Sequence, residues 1–325
     1  MNVLLVGPGG MGSTHYHNYR EIPGARVVAL VGASPADLRN AEKWQLPLYG
    51  TIGEAAKAQE IGIADICVPT YLHEPLALQA FACGLHVITE KPCALSVKSA
   101  ENMFRAAEQA GKQLFVAQVV QFMKETELLR QLVGDGRYGR PLDGFFERLS
   151  ARPAWSQGSW LMDREKSGLL PFDLHIHDLD LIVSLFGKPD RVHLAAAGEN
   201  QELRDHLRVD YSWENGMTVC GEAAWFNACM PFTARWRVYF EKAMVVYDGA
   251  TVTAYEADGT VTRFDTSDPI QIAGGVNLPA NGWFYRELSH FLSCAEKNEP
   301  SPLVPREQVL SVISALEAMP ADKDR

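Results

Sequence analysis

A short, wholly apolar run, Val3-Leu4-Leu5-Val6, leads straight into Gly7-Pro8-Gly9-Gly10-Met11-Gly12. Four apolar residues in a row show no polar face to water, so they predict a strand buried on both faces, as in a parallel sheet. The same alternation then repeats. Strands are expected at 3–6, 26–31, 64–68, 86–89 and 114–117, and helices at 11–20, 36–44, 74–82 and 96–110. Ser96 can cap the last helix and Gly111 can end it, while Pro69 and Pro92 close the third and fourth strands. Repeated strand–helix–strand units of this size predict an α/β, doubly wound domain with helices on both faces of a parallel sheet.

The chain has 325 residues, more than one compact core usually spans. Its character changes near residue 120, which predicts domains at 1–120 and 121–325. The second part opens with a helix at 124–133, a turn-rich stretch and a strand at 144–149. An irregular segment at 152–170 holds Trp155 and Trp160, and a helix follows at 171–186. From 191 to 263 polar and apolar residues alternate between turns such as Glu214-Asn215-Gly216 and Asp258-Gly259, the pattern of a mostly antiparallel sheet. Helices at 284–296 and 306–318 close the chain and can pack back across the boundary.

Acidic residues outnumber basic ones by 40 to 30, and a net charge of -10 opposes general binding to nucleic acid. No stretch reaches the roughly 20 apolar residues of a membrane span, and the apolar start has no basic leader. Six cysteines, at 67, 83, 93, 220, 229 and 294, lack CxxC spacing and read as reduced, mostly buried thiols. These features predict a cytoplasmic protein that binds neither nucleic acid nor membrane.

The glycines at 7, 9 and 12 fit GxGxxG in its proper setting, after a strand and at the start of a helix. Gly7 permits a tight turn, Gly9 leaves room for a pyrophosphate, and Gly12 lets helix and strand pack closely. Free amides at Gly10 and Met11 and the helix dipole favour phosphate. The bland alternative is an ordinary glycine turn. No acid stands at the tip of the second strand to hold a ribose 2′-hydroxyl, since Asp37 is already in the helix. Ser34 and Arg39 there suit a 2′-phosphate, so NADP(H) is expected over NAD(H), with NAD(H) possible. Alternatively, Ser34 only caps the helix and Arg39 is solvated.

Two further segments carry chemistry. Lys91, in Thr89-Glu90-Lys91-Pro92, follows the fourth strand at the edge where ligands sit in open parallel sheets. There it could stabilise charge on a substrate oxygen, although a lone lysine in a turn is more often solvated. In Phe172-Asp173-Leu174-His175-Ile176-His177-Asp178, Asp173 and His177 share a face at i and i+4 if the segment is helical. Histidine can take a hydroxyl proton near neutral pH. His175 falls on another face, and the HxHD spacing splits any metal ligands between faces, so no metal is expected.

Together these segments resemble the glucose-fructose oxidoreductase/inositol dehydrogenase (Gfo/Idh/MocA) family over nearly the whole chain. The resemblance rests on residues 3–12, on Cys67-Val68-Pro69-Thr70 with His73-Glu74-Pro75, on Gly84-Leu85-His86-Val87-Ile88-Thr89-Glu90-Lys91-Pro92, and on residues 173–180 followed by Phe186-Gly187. It implies a Rossmann domain followed by an α/β domain whose open sheet commonly forms a dimer or tetramer interface. It also implies a nicotinamide cofactor and a sugar or cyclitol alcohol as substrate. By resemblance Lys91 contacts cofactor and substrate, Asp173 binds substrate, and His177 is the general base. The same resemblance extends cofactor contacts to Pro69, Thr70, His73 and Glu90. Gln118, Arg152, Trp155, Trp160 and Tyr285 are further candidates for the substrate pocket, the tryptophans because flat aromatic faces suit sugar rings; core packing explains a tryptophan equally well. The chain departs from many relatives at Ser167-Gly168-Leu169-Leu170-Pro171, where they carry a glycine triplet, and at Gln121, where they carry arginine.

The expected reaction is reversible hydride transfer between a secondary hydroxyl and the nicotinamide, with His177 taking the proton, Lys91 steadying the oxygen and Asp173 holding a neighbouring hydroxyl. Three alternatives stand beside it. The chain could reduce another carbonyl, such as a bile pigment, a dihydrodiol product or an anhydro-ketose. It could be a non-catalytic cofactor-binding sensor. Or the cofactor could be recycled within a turnover to drive elimination or epimerisation.

Overall fold

The computed structural model describes residues 1–153, 159–197, 205–274 and 279–319. The chain forms two compact units, one of residues 1–122 with 268–310 and one of residues 123–267 with 311–325. The first unit is therefore built from two separate stretches, whereas the sequence reading placed 268–310 with the second.

The first unit holds β1 (Asn2–Val6), α1 (Gly10–Tyr19), β2 (Arg26–Val31), α2 (Pro35–Trp44), β3 (Leu48–Tyr49), α3 (Ile52–Ala58) and β4 (Ile63–Ile66). Then come α4 (His73–Ala82), β5 (His86–Glu90), α5 (Val97–Ala110) and β6 (Leu114–Ala117). The strands form one parallel sheet in the order β3-β2-β1-β4-β5-β6. The chain reverses direction between β1 and β4, so the crevice at their C-terminal ends is the topological switch point. Local chemistry sets the helices. Ser34 and Thr51 start α2 and α3 with complete capping boxes, and Ser96 Oγ accepts from the Ser99 amide at the start of α5. Gly111 ends α5 in the left-handed region.

Further along the chain, α9 (Trp283–Lys297) also belongs to this unit. In it, Phe291 stacks on Phe115 at 5.2 Å between ring centres. Arg286 forks onto Asp268 at 2.8 and 2.7 Å and also donates to the Phe122 carbonyl. That pairing holds the Asp268 carboxyl down at about 2.

The second unit holds α6 (Lys124–Gly134), β7 (Pro141–Ala151), α7 (Arg164–Ser167), α8 (Ile176–Phe186), β8 (Arg191–Ala197), β9 (His206–Ser212) and β10 (Thr218–Phe226). The chain continues through β11 (Thr233–Phe240), β12 (Ala243–Tyr247), β13 (Val252–Glu256) and β14 (Val261–Phe264), and the last helix, α10 (Arg306–Ala318), has residues in both units. The eight strands run β14-β13-β12-β11-β7-β10-β9-β8. All neighbours are antiparallel except β7 and β10. In β11 and β9 buried and exposed residues alternate, so one face of the sheet is packed and the other carries ion pairs such as Arg237–Asp143 at 2.9 Å.

On the packed face, Arg148 of β7 makes a bidentate pair with Asp178 of α8 at 3.0 and 2.9 Å, both side chains buried. His175 donates from or accepts at Nε2 with the Tyr211 hydroxyl at 2.7 Å, its ring parallel to the tyrosine. The ring fits because β10 has Gly221 beneath it; a Cβ there would lie 2.6 Å from His175 Cε1.

All six cysteines are free, but only Cys93 and Cys294 are buried, while Cys83 and Cys229 are exposed. The expectation of mostly buried thiols is corrected accordingly. No helix among the described residues is long and apolar enough to cross a membrane.

Burial, with Arg148 adding to it, pushes the His175 imidazole down to about 3. In the unfolded chain it titrates near pH ~6.5, so there it takes up its proton first. Its contribution to stability is complete above that pH and is lost as the pH falls towards about 3. Chemical denaturation should show His175→Gln losing about 2 kcal/mol less stability than wild type between pH 6.5 and 5, at about 1.4 kcal/mol per pH unit.

Candidate active site

At the switch point the backbone is unusually close-set. Gly7 has φ +81°, and a Cβ there would lie 2.7 Å from Val68 Cγ1. At Gly12 a Cβ would lie 2.2 Å from the Gly7 carbonyl oxygen, so the helix can sit against the end of β1 only without a side chain. Gly9 differs: nothing among the described residues lies within 4 Å of its would-be Cβ. It is also the N-cap of α1 and offers no side-chain cap, in contrast to the capping boxes of α2 and α3. An uncapped helix start at an open glycine fits the pyrophosphate of a dinucleotide, held by the first-turn amides that begin with Gly10, Met11 and Gly12.

The neighbouring β2–α2 turn refines one expectation. Asp37 lies in α2, but its Oδ2 turns back to accept from the Ala33 and Ser34 amides at 3.0 and 2.8 Å. Its carboxylate is thus spent on the loop itself. Ser34 does cap the helix, accepting from the Asp37 amide at 3.2 Å, and keeps its own O–H to donate. Ser34 and Arg39 are exposed. Asn40 donates to the Pro8 carbonyl at 2.6 Å and ties α2 to the glycine loop.

Glu90 ends β5, and Pro69, Thr70, Lys91 and Gln118 follow the C-terminal ends of β4, β5 and β6; parallel strands put those ends on one edge. Each ring nitrogen of His73 faces a backbone carbonyl at 2.9 Å, those of Pro92 and Val68. Burial lowers its pKa while the two carbonyls oppose that shift. His73 therefore braces the two loops, with both ring nitrogens taken up by the protein itself. Glu90 is buried too: its Oε2 accepts the Lys91 main-chain N–H at 3.0 Å. Lys91 is half-buried, and Gln118 is buried with Oε1 lacking a protein partner.

Beneath this edge lies a cluster the sequence reading missed. His15 Nδ1 donates to Asp65 Oδ2 at 2.8 Å, and Tyr19 donates to the same oxygen at 2.9 Å. The Cys67 thiol donates to Asp65 Oδ1 at 3.5 Å and is pushed well up by burial and by Asp65. The ligand atoms of His15, Asp65 and Cys67 lie within 4.8 Å of one another. A metal would need that thiol ionised and that imidazole proton removed, whereas the set is already closed by its own hydrogen bonds. Glu287 of α9 is fully buried, and neither carboxylate oxygen has a hydrogen-bond partner. A legible signal did exist: Asp65 interrupts an otherwise apolar strand, and a buried carboxylate there needs partners.

In the second unit, Asp173 and His177 stand apart by burial. Of residues 171–183 they alone are half-open; every other one is buried. The expected single helix is not regular. Pro171–His175 is a π-helical turn, with the Ile176 amide reaching the Pro171 carbonyl five residues back, and only then does α8 begin. The wide turn inserts a residue between the acid and the regular helix that carries the histidine. Gly168, φ +72°, packs directly on Phe172. Arg152 pairs with Asp205 at 2.8 Å and so is committed to that carboxylate. Trp160 is half-buried in a short 3₁₀ turn, Tyr285 is half-buried on α9 in the first unit, and Trp155 lies outside the described residues.

Two sequence profiles match the chain: one described as an oxidoreductase family with an NAD-binding Rossmann fold, over residues 1–118, and one for the GFO/IDH/MocA C-terminal domain, over residues 126–246. D-apiose dehydrogenase of Paraburkholderia graminis is 26% identical over 97% of this chain and 85% of its own length. Inositol 2-dehydrogenase 4 of Saccharopolyspora erythraea is 30% identical over 58% of this chain and 54% of its own. The solved structure of levoglucosan dehydrogenase in complex with NADH and levoglucosan superposes with a TM-score of 0.85 at 18% identity, covering 99% of this chain and 96% of that one. At that identity it speaks for the fold.

Gly9→Ala adds a methyl group to open space, so thermal unfolding should be little changed while fluorescence titration shows dinucleotide binding weakened at least about tenfold, a loss of ~1.4 kcal/mol. Gly12→Ala must instead move the α1 backbone and should lower the melting temperature as well.

Proposed function

The chain belongs to the GFO/IDH/MocA family of oxidoreductases, an NAD(P)-dependent enzyme acting on CH–OH groups, and we propose that its substrate is a secondary alcohol of a sugar, glycoside or cyclitol. The observation that carries this reading is the pair Asp173 and His177, half-open in a segment where everything else is buried. A carboxylate and an imidazole are what a polyol needs: one to bind a neighbouring hydroxyl, the other to take the reacting proton.

In the proposed reaction His177 accepts the hydroxyl proton, Lys91 stabilises the developing negative oxygen, and Asp173 fixes the adjacent hydroxyl. A bound nicotinamide supplies the hydride acceptor, or the donor in the reverse direction. The buried ion pair Arg148–Asp178 and the seat of His175 over Gly221 hold the segment that presents His177.

The cofactor we infer as preferred is NADP(H). The support is chemical: Ser34 and Arg39 are exposed at the β2–α2 turn, and the nearby Asp37 charge is taken up by main-chain amides. We also infer a cytoplasmic protein that forms dimers or tetramers through the second unit's sheet, which size-exclusion chromatography with light scattering tests.

A screen of sugars, glycosides and inositols with both cofactors, read by nicotinamide absorbance, tests the substrate class. A blank with every polyol and every carbonyl would sink it in favour of a sensor. Lys91→Ala and His177→Ala should each lower turnover by about 10² or more with the fold intact. Arg39→Ala should weaken NADP(H) binding by about tenfold, from loss of a charge-assisted bond, and leave NAD(H) unchanged. Equal affinity of the wild type for both cofactors would refute the preference.

A further inference from the structure

We propose that His15, on the helix behind the glycine loop, is a positioning residue for Lys91. It bridges Asp65 and Glu90 and so fixes the carboxylate that carries the Lys91 main chain. The inference rests on the oxidoreductase reading for the role of Lys91 but takes its geometry from the first unit alone.

The chain of contacts is short. Asp65 Oδ2 receives His15 Nδ1–H at 2.8 Å, and Asp65 is itself fixed in the middle of β4. On the other side of the ring, Nε2 faces Glu90 Oε1 at 3.2 Å, within ion-pair distance though off hydrogen-bond alignment. The other oxygen of Glu90 accepts the Lys91 amide at 3.0 Å. His15 and Asp65 are fully buried and Glu90 is nearly so. Phe284 of α9 lies against the imidazole, its ring centre 5.7 Å away. A ring held this way has little freedom, and neither does the carboxylate it faces.

The charge of the ring follows from its surroundings. The titratable groups around it are Tyr19 on its own helix, Asp65 and Cys67 from β4 and the loop after it, Glu90 from β5, and Glu287 from α9. Burial opposes charging His15, but Asp65, with Cys67 adding, outweighs burial and raises its pKa. Burial raises Glu287, with Glu90 and Asp65 adding and His15 opposing, so it stays a neutral acid. An imidazolium at His15 sets one cation against both the Asp65 and the Glu90 carboxyl groups inside the buried cluster. A neutral His15 would take that cation away from both. His73, lowered by its own burial, faces the other side of the Lys91 turn through the Pro92 carbonyl.

Nitrogen-15 NMR on the ligand-free wild type at pH 8 tests the charge directly. One of the nine histidines should read as an imidazolium there, when an ordinary histidine is neutral. Its signal is assigned by its loss in His15→Gln or, should that variant not fold, by the shift that Cys67→Ser imposes on it. His15→Gln, which keeps a hydrogen bond and loses the charge, should lower kcat about tenfold to a hundredfold, as misplacement of a reacting group does. The dissociation constant for the cofactor should change little, while the melting temperature should fall because two buried carboxyl groups lose their cation. A neutral ring at pH 8 overturns the proposal, as does a lower melting temperature with kcat retained, the mark of a merely structural residue. A stoichiometric transition metal in the purified protein also overturns it, because the ion would take the ring nitrogen. Wild type that turns over no polyol sinks the oxidoreductase reading instead, so the two failures are told apart.

Discussion

Of the described glycines, Gly12 is the most tightly set: a Cβ there would lie 2.2 Å from the Gly7 carbonyl oxygen, so α1 and the end of β1 meet backbone to backbone. That contact sets the position of α1 relative to β1, and much follows from it. It aims the uncapped start of α1 at the crevice between β1 and β4. It also brings His15 and Tyr19, further along the same helix, onto Asp65 of β4. The anion-binding end of the helix and the buried charge cluster are thus two results of one close packing, and neither survives a shift of the helix axis.

How the structure keeps acids inside is the second theme. Four of the buried carboxyls are each handled by a different physical means. Asp178 takes a bidentate arginine, and Asp65 takes an imidazole and a phenol. Asp37 takes two main-chain amides. Glu287 has no hydrogen-bond partner among the described residues, and burial raises its pKa so that it keeps its proton. The net charge of -10 gives no hint of this. It describes the surface seen by a distant polyanion, while the sites depend on fields a few ångströms across.

Much of the first unit was legible in sequence because its main strands are buried on both faces and leave no ambiguity of period. β1, β2, β4, β5 and β6 stand within a residue or two of where their apolar runs predict them. β3 and α3 were not, since two and seven residues are too short for a period to show. The antiparallel sheet was legible from alternation and turns. The π-turn was not: a run of six buried or half-buried residues reads as helix whether the bond reaches four or five residues back. The His15 cluster escaped for another reason. Its members are 50 and 52 residues apart, and only the crossover from β1 to β4 unites them. Glu287 was beyond reach, because nothing in the sequence before residue 268 shows which later helix completes the unit.

That last point bears on how the chain is made. The nucleotide half is discontinuous, with Phe115 covered by Phe291 and the Phe122 carbonyl held by Arg286. When residue 122 leaves the ribosome, the sheet that opens the chain still lacks one of its flanking helices. The stretch from 123 to 267 must be synthesised first, at about 5–20 residues per second. During those roughly 7–30 seconds the sheet of the middle stretch can form while the first unit is still incomplete, although the second unit in turn waits for residues after 310. A nascent chain stalled near residue 150 would expose the Phe115 face to chaperones, and one released at 310 would not.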